Sequence, residues 1–170
     1  MSTALTATPI SQDAIAGLAE LIEASGTPDK LINQGLCGRF HNRAALNIDG
    51  EAGISVFKSQ SFALPFRMEM MERHPQGSQA FLPMQEGEYL VVLAEDKDGA
   101  PHDPRAFVAG AGQGVNIGRN VWHGVLCPLS DPGLFMVVDR VTDGPNLEEH
   151  WFDTPYTVEP VTEPASTGLA

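Results

Sequence analysis

The sequence predicts an all-β fold: two antiparallel sheets closed into a jelly-roll barrel, with one short helix near the N-terminus. Three observations lead there. Short runs rich in β-branched and aromatic residues recur from residue 31 onward. Turn-forming pairs separate them, namely His74-Pro75, Glu86-Gly87, Asp98-Gly99, Asp131-Pro132 and Asp143-Gly144. Helical spacing of apolar residues is confined to the first part of the chain. Many short strands with little helix make a double-sheet barrel the natural architecture.

Taken in order, Ser11 stands before Ala14, Ile15, Leu18 and Ala19 as the N-cap of a short helix. Leu21-Ile22 either continues that helix or begins a strand. Residues 23–30, with Gly26 and Pro28, read as a loop. The predicted strands are Leu31–Asn33, Gly38–His41, Ala45–Ile48, Ile54–Lys58, Met68–Arg73 and Gln79–Pro83, then Glu88–Ala94, Ala106–Ala109, Val115–Ile117, His123–Cys127 and Phe135–Arg140. The charged stretch Glu95–Arg105 contains two prolines and reads as an exposed loop. With 170 residues and 42% hydrophobic content, the chain is long enough for one domain with a substantial core. We expect that domain over residues 1–160, with a disordered tail over 161–170.

Charge narrows the function. A net charge of −12 and a pI near 4.6 repel phosphate backbones and anionic lipid, so neither nucleic acid nor membrane is an expected partner. The N-terminus has no basic segment followed by an apolar one, and no apolar run reaches membrane-spanning length. The expected location is therefore cytoplasmic. Cys37 and Cys127 are far apart and form no C-x-x-C, which suits two reduced thiols.

The chemistry gathers around Glu72-Arg73-His74-Pro75-Gln76-Gly77-Ser78-Gln79 and Gly118-Arg119-Asn120-Val121-Trp122-His123. On a strand, side chains alternate between faces, so Glu72 and His74 project to the same side. A turn follows and Gln79 opens the next strand. This resembles the first metal motif of cupin barrels, with ligands at i and i+2 and a third after four intervening residues. A later histidine behind a glycine turn supplies the fourth cupin ligand, and His123 behind Gly118 takes that place. Cupins commonly present His-His-Glu plus His, whereas this chain presents Glu72, His74, Gln79 and His123. Two imidazoles, a carboxylate and an amide oxygen suit a divalent ion such as nickel, manganese, zinc or iron. The competing reading packs His74 on Trp122 and pairs Glu72 with an arginine. For any one residue that reading is the simpler, but four residues at barrel spacing favour the site.

Arg73, Arg119 and Arg140 lie in or beside segments expected to line the barrel, and Arg39 and Arg105 stand near other strand ends. A guanidinium is the natural clamp for a small carboxylate. His41 is a candidate proton-transfer group, and Glu72 a candidate base. His102 and His150 have no supporting pattern. The sequence has no G-x-S-x-G elbow, phosphate-binding loop or dinucleotide fingerprint. Gly110-Ala111-Gly112-Gln113-Gly114 reads as a hairpin turn.

With these residues in view, the chain resembles the ureidoglycolate lyase family. The likeness rests on Ile32-Asn33-Gln34-Gly35, Arg39-Phe40-His41, the block Met71–Met84, Arg105-Ala106-Phe107, Gly112–Asn116, Arg119–His123 and Asp139-Arg140. It implies a cupin-like barrel, a homodimer, and cleavage of (S)-ureidoglycolate to glyoxylate and urea in allantoin breakdown, with nickel or a similar divalent ion. Two places depart from the family: Gly124 stands where a second histidine is common, and the segment after Arg140 matches loosely. Two alternatives stay open here. One is a cupin enzyme for a related ureido or hydroxy acid. The other is a non-catalytic binding barrel, although the chain has no appended DNA-binding motif.

Overall fold

The computed structural model describes residues 3–161; Met1, Ser2 and residues 162–170, where most of the predicted tail lies, fall outside it. Its strands are β1 (Thr3–Thr6), β2 (Thr8–Pro9), β3 (Ala19–Ile22), β4 (Lys30–Ile32), β5 (Cys37–Arg39), β6 (Ala52–Lys58), β7 (Phe66–Arg73) and β8 (Gln79–Pro83). They continue with β9 (Tyr89–Lys97), β10 (Ala100–Ala109), β11 (Gly114–Ile117), β12 (Trp122–His123), β13 (Cys127–Pro128), β14 (Leu134–Arg140) and β15 (Glu148–Glu159). The one helix among the described residues, α1 (Gln12–Ile15), lies between β2 and β3.

An eight-stranded sheet runs β1-β15-β7-β12-β9-β10-β2, with β13 also on β9, and faces a five-stranded sheet in the order β3-β11-β8-β14-β6. The cupin-like all-β barrel expected from the strand pattern is thus the observed architecture. β9 shows why the sheets close. Tyr89 to Ala94 are six consecutive buried residues, a pattern that requires cover on both faces. Tyr89, Val91 and Leu93 join Phe81, Phe107, Val115, Phe135 and Val137 between the sheets. Leu90, Val92 and Ala94 turn the other way, onto Met68, Met71, Ala106, Trp122 and Val158. These partners all come from the larger sheet, so it curls over its own second cluster.

Several elements differ from expectation for identifiable reasons. The helix is a single turn: Ser11 caps it by accepting from the Ala14 amide at 3.3 Å, but the chain extends again at Ala16. Ala45–Ile48 forms no strand, only a bridge between Ile48 and Gly77. Its backbone is held instead by Glu20, Asn116 and Ser78. The charged stretch 95–105 is a β9–β10 hairpin rather than a loop. Asp98 and Gly99 take the positive φ of its tight turn, and an irregularity between His102 and Arg105 accommodates Pro104. Residues 110–114 link strands of different sheets and so do not form a hairpin. β15 was not expected, yet it pairs along β7 and contributes Phe152 and Tyr156 to the second cluster.

Candidate metal centre

Strand register assembles the site. Glu72 on β7 lies directly opposite His123 on β12, and His123 in turn opposes Leu93, a residue of the inter-sheet core. Directly opposed residues share a face, so Glu72 and His123 point into the barrel together. His74 follows one residue beyond β7. Its carbonyl accepts from the Asn120 amide at 3.0 Å, which ties the end of β7 to the turn before β12. The donor atoms of Glu72, His74 and His123 lie within 4.8 Å of one another. The two imidazole rings are 5.3 Å apart and tilted by 38°.

The ring nitrogens are sorted by their partners. His74 Nδ1 lies 2.7 Å from the Asn146 carbonyl oxygen, and His123 Nδ1 lies 2.9 Å from that of Gly124. A carbonyl only accepts, so Nδ1 carries a hydrogen in both rings, and in the neutral form of each ring Nε2 holds the lone pair. Both Nε2 atoms are buried without a hydrogen-bond partner, and so is Gln79 Oε1. Gln79 sits opposite Ile117 of the core, and its Nε2 donates to Asp139 at 2.9 Å. Unpaired buried acceptors are rare because each loses hydration without a replacement. The two imidazole nitrogens beside the Glu72 carboxylate form a donor set whose nitrogen and oxygen chemistry fits a borderline divalent ion, and Gln79 Oε1 is a further buried acceptor without a partner.

Burial also sets the ionisation. It pulls the His123 imidazole down to about 4, with His74 acting the same way against the Gly124 hydrogen bond. His123 is therefore neutral across the physiological range, as a ligand must be. Burial raises the Glu72 carboxyl above its ordinary range. His74 opposes the rise, and Glu149, directly across the β7–β15 pair, adds to it.

The other predicted site residues are distributed differently. Arg73, adjacent to Glu72, points to the opposite face, where it lies 4.4 Å over the Trp122 ring and pairs with Asp96 and Glu148. Arg119 and Arg140 converge on Asp49, Arg119 through the carboxylate and Arg140 through the carbonyl. Arg119 also donates to the Pro75 carbonyl beside His74. The remaining Arg140 hydrogen bonds run to the carbonyls of Thr142 and Asp143, so among the described residues its hydrogen-bond partners are carbonyls rather than carboxylates. Arg39 and His41 bond to each other at the end of β5, which pairs with β4 in a sheet of its own. Sequence reasoning missed Asn146, whose carbonyl fixes His74 and whose side chain accepts from the Gln76 amide. It also gave Asp139 no role. Neither has a local signature, because both contacts span sixty or more residues.

A buried Glu/His/His cluster on a two-sheet barrel defines a protein of the cupin type with a site able to hold a metal ion. The chain belongs to the ureidoglycolate lyase family, whose model matches residues 2–159. It is 51% identical over 153 residues to a ureidoglycolate lyase of Rhodobacter capsulatus, covering 89% of this chain and 95% of that protein. It is 45% identical to the ureidoglycolate lyase of Brucella melitensis, covering 91% and 94% of the two chains. A ureidoglycolate lyase 2 of Rhizobium meliloti is 44% identical, with 89% and 94% covered.

Proposed function

We propose that the protein is an enzyme that cleaves (S)-ureidoglycolate to glyoxylate and urea, a step of allantoin breakdown. The observation that carries the reading is the pair of buried, unpaired imidazole nitrogens beside Glu72, found in a chain of this family. The substrate carries hydroxyl, carboxylate and ureido nitrogen on one carbon. Breaking its C–N bond requires loss of the hydroxyl proton and gain of a proton by the departing nitrogen. No water is consumed, so the reaction is an elimination.

Glu72, His74, Gln79 and His123 would hold a divalent cation, with nickel preferred over manganese or zinc. Bound there, such an ion supplies Lewis-acid stabilisation of the negative charge that develops on oxygen. His123, buried and neutral, serves as a lone-pair donor. Glu72 is the alternative to a fourth ligand: where it does not hold the cation, its carboxyl, raised by burial, has the property wanted in a group that takes the hydroxyl proton. Arg119 and Arg140, flanking the turn after His74, are the guanidiniums suited to the substrate carboxylate. A homodimer is supported by the outer face of β6, the edge strand of the smaller sheet. Ile54 and Val56 there are 71% and 63% exposed. Two free cysteines suit the reducing cytoplasm.

The test is release of urea and glyoxylate by the purified protein, before and after chelation, with nickel, manganese and zinc added back separately. Loss on chelation with recovery on one metal is expected. Unchanged turnover after complete chelation would remove the cation from the reaction, and no release from ureidoglycolate under any condition would remove the substrate.

A further inference from the structure

We infer that Asp139 is a positioning residue of the metal centre, holding the Gln79 amide so that Oε1 rather than Nε2 is offered to the cation. The inference rests on the metal-site reading above and adds to it the device that makes a glutamine a dependable ligand. A primary amide has two nearly isosteric ends, and only the oxygen end has a lone pair to give. Left unrestrained, Gln79 would present N–H groups to a cation in one of its two orientations.

The fold removes that freedom. β14 pairs with β8 through Val138 opposite Ala80, so one step further along the antiparallel ladder Asp139 faces Gln79. On its other side Asp139 is paired with Gly53, which has no side chain to compete for the carboxylate. An ionised carboxylate is acceptor-only, so the group 2.9 Å from Asp139 Oδ2 must be the Gln79 Nε2 donor. Gln79 is 6% exposed, and its Oε1 is left buried without a partner. The carboxylate also draws the amide toward its charge-separated form, which makes Oε1 a better donor.

The same logic operates three times in the site. Asn146 locks His74, Gly124 locks His123, and Asp139 locks Gln79. In each case an internal acceptor takes the hydrogen-bearing end and leaves the lone pair free. Asp139 is the only one of the three locks made by a side chain, and so the only one a substitution can remove directly.

The experiment uses the full chain, stripped with chelator and titrated with nickel and with cobalt(II). Metal affinity is read by calorimetry, and ligand field by the visible cobalt spectrum. Asp139→Asn should weaken affinity by about 10–100-fold and shift the cobalt bands, as loss of an orienting partner does elsewhere. The double variant Gln79→Glu with Asp139→Asn should restore affinity, because either carboxylate oxygen can ligate while the new amide still donates to it. That double variant keeps a hydrogen-bonded pair across β8 and β14, so it gives an answer even where Asp139→Asn alone fails to fold. Parent-like affinity and spectrum in Asp139→Asn would overturn the inference, as would a double variant that folds yet binds metal at least about 10-fold more weakly than the parent. A parent chain that binds neither metal would instead overturn the metal reading beneath it.

Discussion

Two clusters lie back to back on the same strands, offset by one residue. Glu72 and Arg73 are neighbours on β7, Trp122 and His123 on β12, and Glu148 and Glu149 on β15. Register puts Glu72, His123 and Glu149 on the inward face and Arg73, Trp122 and Glu148 on the other, with Glu149 itself exposed. The outward set is closed: Arg73 lies over Trp122 and pairs with Asp96 and Glu148, while the Trp122 indole also donates to Asp96 at 2.9 Å. The inward set is open: His74 and His123 each keep an unused lone pair, and Glu72 faces Glu149 rather than a cation. Closed polar clusters fix geometry, whereas open ones leave bonding capacity for something else. The contrast, more than any one residue, separates scaffold from site in this molecule.

The largest effect should come from the open side. His123→Ala should reduce urea and glyoxylate release by at least about 100-fold, within the range that positioned catalytic groups contribute. It should also abolish tight nickel binding while leaving the β-sheet circular dichroism unchanged. Near-parental turnover would place the reaction elsewhere and erase the distinction between the two clusters.

The next test removes the metal and lowers the pH. His123 titrates near 4 in the folded chain and near 6.5 when unfolded. Between those values the unfolded state binds more protons, so acid favours unfolding. The stability that His123 contributes is complete above pH 6.5, declines as pH falls toward 4, and changes no further below that. Urea denaturation of the metal-free chain should show this loss, and His123→Asn should flatten it. Equal pH dependence in both chains would mean that the imidazole is not held neutral by burial.

How far this arrangement could be read from sequence depends on the distance over which each contact is set. The spacing of Glu72 and His74 is local, so alternation along one strand made their shared face legible, and His123 beside them followed from the glycine turn before it. The same alternation argues that Arg73 faces away from Glu72, and that consequence is the one to apply to any arginine adjacent to a ligand. The strand over Tyr89–Ala94 was predicted, and its cover on both faces came from the structure. β15 was harder: Pro155 and an irregular register between Trp151 and Tyr156 break its alternation. β1 and β2 are short, polar and held by parallel pairing to β15 and β10, so no local pattern marks them. The Asp139–Gln79 contact depends wholly on β8–β14 register across sixty residues.

On the closed side, Arg73→Met should cost stability and leave chemistry alone. The substitution removes a guanidinium that is 14% exposed and its stacking on Trp122, while the partners Asp96 and Glu148 are exposed enough for water to replace much of what they lose. A loss of about 1–2 kcal/mol is expected from these combined terms, read as a lower urea midpoint. Nickel affinity and the KM for ureidoglycolate should stay near parental values. A large rise in KM with unchanged stability would move Arg73 from the scaffold to the substrate.

Asp96→Asn probes the same cluster more gently, since the amide keeps the carboxylate's shape. The Trp122 indole bond is the main reason the Asp96 carboxyl lies below its ordinary range, with the Gly99 amide and Arg73 adding to it. A carboxyl lowered in the folded state stabilises the fold above the unfolded value of 3.8, and that contribution disappears as pH falls through the folded value. The thermal midpoint of Asp96→Asn should therefore lie slightly below that of the parent at neutral pH, by less than in Arg73→Met, and the two curves should converge in strong acid. The two clusters thus lose stability in separate pH windows. His123 acts between 6.5 and 4 and Asp96 below 3.8, so one pH series on the metal-free parent and both variants assigns each loss to its own face of β12. A difference between Asp96→Asn and the parent that persists unchanged at the acid end would show that the carboxylate's charge is not what holds the closed cluster together.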